Sequence, residues 1–163
     1  MKYVKIFFLS LASIIAYSSC KNSLIEPDIQ FVQIDFKYNF KDELNTFENY
    51  YQKDLVIDGV IRVNFWLTQE EQDNIIQKLE ETNYFTLPDT ILNTAPVEVT
   101  PNWTQLLKIK YGNKEHTVVW NYIVKEYQTE QYIKLLELAK YIKQVIESKP
   151  EYKKLPARNG GYD

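Results

Sequence analysis

Alternation of apolar and polar residues recurs along this sequence and limits its fold more than any other feature. It is clearest over 31–38, where polar residues separate the apolar side chains Val32, Ile34, Phe36 and Tyr38. Successive side chains of a strand point to opposite faces, so a period of two predicts a strand with one buried face. The next residues, 39–49 (NFKDELNTFEN), are polar, and we expect them to form a loop.

A first hairpin is predicted over residues 50–66. Alternating residues flank Asp58-Gly59, a dipeptide that favours tight turns between antiparallel strands. The stretch 83–102 shows no clear periodicity and contains three prolines, although 97–99 (VEV) fits a short edge strand. A segment of that length without regular structure is uncommon inside a domain, so it indicates either a functional loop or an element without a clear pattern.

A second hairpin is predicted over 105–122, with Gly112-Asn113 as its two-residue turn. The turn fixes which residues face each other across the two strands. The expected pairs are Tyr111 with Lys114, Ile109 with His116, and Leu107 with Val118. On the other face of the hairpin, Lys110 lies opposite Glu115, and this arrangement predicts a favourable cross-strand pair.

Two helices are predicted from their caps and apolar stripes. Residues 68–71 (TQEE) form a capping box, and the apolar residues that follow predict a helix of about 13 residues. Thr129 is the expected cap of the second helix, which Pro150 ends. Its stripe consists of Tyr132, Leu135, Leu136, Ala139, Ile142 and Ile146. We expect the first half of the tail, 151–163, to dock, and Gly160-Gly161 to turn or fray.

These elements predict one α+β domain over residues 29–163. We expect an antiparallel sheet of four or five strands with two helices packed on one face. The face toward the second helix should carry Val32, Ile34, Phe36, Ile61, Val63, Phe65, Leu107 and Ile109. A chain of this length is enough for one hydrophobic core.

The N-terminal residues are typical of an export signal. Lys2 and Lys5 precede the uncharged segment 6–17 (IFFLSLASIIAY), and Ser18-Ser19-Cys20 follows it. Twelve helical residues reach about 18 Å, whereas a membrane span must cross roughly 30 Å of hydrocarbon. The position of the only Cys resembles the lipobox of bacterial lipoproteins, in which that Cys is lipidated and becomes the mature N-terminus. Tyr17 stands where Leu is commonest in that motif.

The resemblance implies an exported cell-envelope protein that is held on the membrane by acyl chains on Cys20. Residues 1–19 would be the signal peptide, and 20–28 a polar tether to the domain. With Lys2 and Lys5 removed, the net charge of −3 becomes −5. The alternative is an ordinary secretory cleavage after 16–18 (AYS), which would leave Cys20 as a free thiol.

Composition excludes several classes of function. One Cys rules out a disulfide within the chain, and one His with one Cys leaves too few ligands for the usual zinc sites. Four Gly leave no glycine-rich phosphate loop, and the net negative charge argues against nucleic acid as a partner. We therefore expect no cofactor, no metal and no nucleic-acid partner.

The residues that carry catalysis in other proteins have simpler explanations here. His116 lies on the apolar face of the second hairpin, without an identifiable nucleophile, and is expected to be packed. Five carboxylates, Asp42, Glu43, Glu48, Asp54 and Asp58, lie in and around 39–58. Two of them at a suitable separation would serve glycoside hydrolysis, but surface solvation explains them equally well. We assign no catalytic residue.

Aromatic residues are abundant, at 15% of the chain, and several lie in polar stretches. Such rings offer a large contact area with a polar tip, which suits glycan and protein surfaces. The candidate binding residues are Tyr50, Tyr51, Asp54 and Trp103, within the predicted surface of 39–54 and 83–103. The sequence favours a binding module without catalytic activity. The alternatives are an envelope inhibitor or immunity-type protein and a small hydrolase that uses the carboxylates.

Beyond the lipobox, three segments of the chain look familiar. Residues 45–54 (NTFENYYQKD), 67–71 (LTQEE) and 148–162 (SKPEYKKLPARNGGY) resemble small uncharacterised bacterial lipoproteins. This resemblance covers most of the mature chain. It implies a shared domain, and it assigns neither an activity nor site residues.

Overall fold

The structure, a computed structural model, describes residues 31–92 and 103–162. Its strands are β1 (Gln33–Tyr38), β2 (Asp42–Asn45), β3 (Tyr50–Val56), β4 (Gly59–Asn64), β5 (Thr90–Ile91), β6 (Gln105–Tyr111) and β7 (Lys114–Trp120). They form one sheet in the order β4-β3-β2-β1-β6-β7-β5. All neighbours are antiparallel except β5 and β7, which are parallel. The fold is α+β, as predicted, but seven strands exceed the predicted four or five.

One additional strand, β2, lies within the segment that was expected to form a loop. Asn39 and Phe40 adopt positive φ angles and turn the chain back against β1. Leu44 pairs with Phe36 and is completely buried, whereas Asp42 occupies the other inward position of the strand. A charged residue at an inward position hides the alternation of so short a strand, which is why the sequence did not predict it.

The first predicted hairpin is confirmed as β3 and β4, which pair from Tyr50 with Asn64 to Val56 with Gly59. The register shifts between Asp54 and Val56, so Leu55 forms a bulge in β3. Val56 and Gly59 both have positive φ, at 69° and 75°, on either side of the turn. A bulge changes the direction of the side chains around it, and here it places Asp54 in the candidate site described below.

The second hairpin has the predicted register across β6 and β7. Lys110 lies opposite Glu115, but the ion pair of Glu115 is formed diagonally with Lys108, at 2.9 Å. Diagonal neighbours across a strand pair are within reach of a long lysine side chain. The predicted Lys110–Glu115 cross-strand pair is therefore present, and the charge of Lys110 helps Lys108, the larger cause, to lower the pKa of Glu115.

The helices begin at the predicted caps. They are α1 (Gln69–Glu81), α2 (Glu130–Ser148) and the short α3 (Pro150–Lys153). Thr68 and Glu71 form both halves of the capping box, and Thr129 accepts from the backbone N–H of Tyr132. Of the predicted stripe, Leu136 is only partly buried, and Leu138 and Val145 are buried instead. No helix of the described residues is long and apolar enough to cross a membrane.

Both long helices cover one face of the sheet. Ile75 of α1 and Leu135 of α2 belong to the same core as Phe36, Leu107 and Trp120, all with no exposed surface. Two residues predicted for this face, Ile61 and Val63 on the edge strand β4, are only half-buried. The other face carries the polar residues of the alternation and is only partly covered by the described residues. An antiparallel sheet tolerates this arrangement, because its polar face is solvated.

The tail docks over its whole described length, which corrects the expectation that Gly160-Gly161 would turn or fray. Lys53 donates to the carbonyl of Pro156 at 2.7 Å, and the backbone N–H of Asn159 donates to the carbonyl of Leu55 at 3.3 Å. Gly160, with φ of 153°, lies so close to Val56 and Ile57 that a Cβ would meet their side chains at 3.2 Å. The tail therefore runs along β3 and over the first hairpin turn.

The expected signal peptide 1–19, the tether 20–28, Cys20 and the strand at 97–99 lie outside the described residues. Within the described part of 83–102, the chain forms a single 3-10 turn at Tyr84–Thr86 and then β5. A strand of two residues is too short to show a periodic pattern, so the sequence did not predict β5.

Candidate functional site

The docked tail encloses a small cavity at the end of the sheet where β1 and β3 end and β6 begins. We call it the tail pocket. It has a volume of about 180 Å³ and is lined by Asn39, Asp54, Val56, Trp103, Arg158, Gly160, Gly161 and Tyr162. Two of the four binding residues that the sequence predicted, Asp54 and Trp103, lie in it. The tail residues Arg158 and Tyr162 complete it.

Two aromatic residues, Trp103 and Tyr162, line the tail pocket, and Phe40 packs against both of them; we call these three rings the aromatic cluster. Phe40 stacks on Tyr162 with ring centroids 3.9 Å apart, and Trp103 meets Phe40 edge-on at 4.1 Å. The ammonium group of Lys41 lies 5.8 Å from the Tyr162 ring, within cation–π distance. Phe40 is 48% exposed although its ring touches both others. The cluster thus presents apolar ring surface to solvent beside polar groups.

An ion pair fixes the floor of the pocket. Asp42 is 2% exposed, and its Oδ2 accepts from Nη2 of Arg158. Its Oδ1 accepts from the backbone N–H of Asp54 at 2.8 Å, and Nε of Arg158 donates to the carbonyl of Asp54 at 3.1 Å. Arg158 thereby ties the tail to β2 and β3 at once. Its side chain remains 40% exposed, so the guanidinium edge also borders solvent.

Asp54 positions Tyr162. The carboxylate is 1% exposed, and its two oxygens accept from the backbone N–H of Val56 at 3.0 Å and from the hydroxyl of Tyr162 at 2.6 Å. The hydrogen bond to Asp54 raises the pKa of Tyr162, because it stabilises the protonated phenol. Asp54 is therefore a buried positioning group, and Tyr162 and Trp103 are the parts that a partner would touch.

The structure separates the other two predicted residues from the tail pocket and from each other. Tyr51 is 1% exposed in the core, where its hydroxyl lies 3.2 Å from that of Tyr38. Tyr50 points to the opposite face of the sheet, and the guanidinium of Arg62 stacks 4.2 Å from its ring centre. The alternation of a strand already implies that neighbouring residues face opposite ways. Neither residue lines the tail pocket, and Tyr51 is too buried to contact a partner.

The polar face of the sheet holds a second group of charges that the sequence did not single out. Lys37 bridges Asp35 at 3.6 Å and Glu43 at 3.7 Å. Burial raises the pKa of Asp35, and the nearby charge of Lys37 opposes that rise. Oδ1 of Asp35 is buried and has no hydrogen-bond partner among the described residues. The polar positions of the 31–38 alternation were the available signal for this group.

His116 is packed, as the sequence suggested. Its Nε2 lies 2.9 Å from the carbonyl oxygen of Leu87, and its ring meets Tyr84 edge-on at 5.5 Å. Nδ1 is 3.7 Å from Asp89. Among the described residues there is no group of three or more His, Cys, Asp or Glu side chains that could hold a metal ion.

Comparison of the chain with protein families, with curated proteins and with solved structures found no match in any of the three.

Proposed function

We propose that the chain is a lipid-anchored protein of the cell envelope that binds another molecule through the aromatic cluster and performs no chemistry. The observation that carries this proposal is the cluster itself, with Phe40, Trp103 and Tyr162 held over a fixed polar floor. Partly exposed rings that are already ordered lose little entropy when a partner covers them. Such rings are the residues that dominate binding at protein interfaces.

The carboxylates that a hydrolase would use make contacts that support a structural role for these side chains. Asp42 and Asp54 are buried, and each already accepts two or more hydrogen bonds. Asp58 accepts from the side chain of Asn159, so it also helps to hold the tail. A general acid or base must reach the substrate, and the engaged oxygens of Asp42 and Asp54 do not.

The size of the tail pocket limits what it accepts. Its volume of about 180 Å³ is below the roughly 300–1,000 Å³ of sites for drug-sized ligands. The pocket therefore suits one side chain of a partner protein or one ring of a glycan, with the aromatic cluster making the wider contact. An envelope inhibitor or immunity-type protein is a narrower version of the same proposal.

The binding proposal is tested by affinity capture from envelope extract with the full-length protein in detergent. We expect Trp103→Ala to weaken recovery of a partner about tenfold or more, because truncating a central interface aromatic costs over roughly 1.4 kcal/mol. Trp66→Ala is the matched control, since Trp66 is 58% exposed at the other end of the sheet. Equal recovery with both variants, or no specific partner, contradicts the proposal.

The anchor is tested separately by metabolic labelling with a fatty acid. We expect label on the wild-type protein and none on Cys20→Ala, because the thiol of Cys20 is the proposed site of lipidation. The membrane fraction should also lose the Cys20→Ala protein, since several acyl chains give stable anchoring and none remain in that variant. Absence of label on the wild type refutes the anchor and leaves the aromatic cluster as a binding surface.

A carboxylate hydrolase is the second candidate, and one observation favours it. Asp35 and Glu43 both contact Lys37 on the polar face, and burial, with a smaller contribution from the charge of Glu43, raises the pKa of Asp35; two carboxylates in different environments are what acid–base hydrolysis uses. Under this alternative, Glu43→Gln abolishes hydrolysis of an envelope glycan, whereas a binding module retains its partner. Asp54→Ala does not discriminate, because its burial makes loss of folding the expected result.

A further inference from the structure

A second group of aromatic residues lies at the opposite end of the sheet from the tail pocket. Phe31 precedes β1 and is 59% exposed, and Trp66 follows β4 and is 58% exposed. With Phe47 and Leu67 they line a groove of about 340 Å³, which we call the N-terminal groove. Two large rings with more than half of their surface in water are not explained by packing of the core.

The base of the N-terminal groove is fixed. The backbone N–H of Val32 donates to Oε1 of Gln72 on α1 at 3.3 Å, and Val32 itself is buried. Thr46, in the turn after β2, accepts from the backbone N–H of Ile34 at 2.7 Å through its hydroxyl. The turn that carries Phe47 is therefore tied to β1, so the exposed rings project from a rigid edge.

The position of the groove in the chain indicates what covers it. Ten residues lie between Cys20 and Phe31, and the eleven steps from one Cα to the next span at most about 40 Å when fully extended. A chain anchored at Cys20 therefore keeps Phe31 within about 40 Å of the lipid surface, and the N-terminal groove is the part of the described domain nearest the anchor along the chain.

The chemistry of the groove fits the interface of a bilayer. Trp favours the boundary between headgroups and acyl chains, where its ring is buried and its indole N–H stays hydrated, and Phe buries its ring on the acyl side of that boundary. Glu48 and Glu70 are exposed acids next to the groove residues in the chain, and the net charge without residues 1–19 is −5. Attraction to anionic lipids is therefore not the driving force, and insertion of the rings is.

We propose that the N-terminal groove docks on the membrane surface, with Phe31 and Trp66 inserted at the headgroup boundary. This inference rests on the proposed lipid anchor and adds an orientation to it. The six residues of β1 span roughly 17–20 Å, and the tail pocket lies beyond their far end. Docking through the N-terminal groove thus points the aromatic cluster away from the membrane, toward a partner.

The test uses the full-length lipidated protein in vesicles of phosphatidylethanolamine and phosphatidylglycerol that carry bromine at shallow acyl positions. Trp103→Phe leaves Trp66 as the reporter at the N-terminal groove, and Trp66→Phe leaves Trp103 at the tail pocket. Trp120 is fully buried and contributes the same background to both. We expect brominated lipid to quench most of the Trp66 emission and to leave the Trp103 emission nearly unchanged, at low and at high salt.

The outcomes separate docking from anchoring. Protein that remains on the vesicles with unquenched Trp66 refutes docking and leaves the anchor intact. Protein that fails to associate with vesicles at all refutes the anchor and docking together. Equal quenching of both reporters places the domain on its side and overturns the proposed orientation. A second copy of the chain could also cover the groove. In that case the Trp66 emission shifts to the blue as protein concentration rises in vesicles without bromine, and brominated lipid does not quench it. This result also overturns the proposal.

Discussion

Replacing Asp42 with Asn lowers the free energy of unfolding by about 3 kcal/mol, because the change removes the charge that holds the tail. Asp42 is 2% exposed and accepts from Arg158, from Asn39 and from the backbone N–H of Asp54. Loss of one member of a buried ion pair typically costs about 3–5 kcal/mol, and the lower end applies because Arg158 is partly solvated. The negative charge of Asp42 also favours the protonated form of Lys143 on α2.

Urea unfolding measures this effect, and Glu43→Gln supplies the control. Glu43 is the next residue of β2, but it points to the polar face, where it lies 3.7 Å from Lys37. The side chain of Glu43 is 14% exposed, but its partner Lys37 is 53% exposed, so solvent screens the pair; it is worth about 1 kcal/mol, and the control variant loses less stability than Asp42→Asn. If Asp42→Asn costs no more than Glu43→Gln, the ion pair with Arg158 does not secure the tail.

The parts of the fold that were predictable are those that short-range chemistry decides. The capping box at Thr68 and Glu71 specifies where α1 begins, because both halves lie within four residues. The Gly112-Asn113 turn fixes the register of β6 and β7, since a two-residue connection permits one pairing only. By contrast, β5 pairs with β7 through two residues that lie far apart in sequence, and no local pattern encodes that contact.

Half of the candidate site could be predicted from the sequence, because there too only short-range features are visible. Trp103 could be selected as an aromatic residue in an irregular stretch, and Asp54 as an acid at the end of the predicted surface 39–54. Arg158 and Tyr162 were missed because their contacts with Asp42 and Asp54 join residues more than a hundred positions apart. The two glycines of the tail suggested fraying, whereas Gly160 is needed for its close approach to β3.

Above about pH 10.5 the free energy of unfolding falls steeply as pH rises, because buried tyrosines must stay protonated in the folded state. Burial raises the pKa of Tyr38, Tyr51 and Tyr84 well above the ordinary value near 10. Between the unfolded and folded pKa values the unfolded chain binds fewer protons, so stability falls as pH rises. The stability is complete below about pH 10 and declines by about 1.4 kcal/mol per pH unit for each tyrosine.

Three such residues together give a slope of about 4 kcal/mol per pH unit, against a total stability of about 5–15 kcal/mol for an ordinary domain. Unfolding is therefore expected within about one to four pH units above 10. Lys143 does not offset the decline, although burial lowers its pKa. When the pKa of a lysine is lowered in the folded state, stability rises with pH only until the pH reaches the pKa of lysine in the unfolded chain, near 10.4. Above that pH the lysine no longer changes the stability.

Urea titrations at a series of alkaline pH values measure the slope, with the tyrosinate absorbance recorded in parallel. Tyr84→Phe loses the hydrogen bond to the carbonyl of Leu107, so it is less stable at neutral pH, but its slope falls by about a third. Tyr122→Phe is the control, since Tyr122 is 50% exposed and its removal leaves the slope unchanged. If Tyr38, Tyr51 and Tyr84 ionise near pH 10 together with the other tyrosines while the near-ultraviolet dichroism stays intact, the core does not hold these three residues as described.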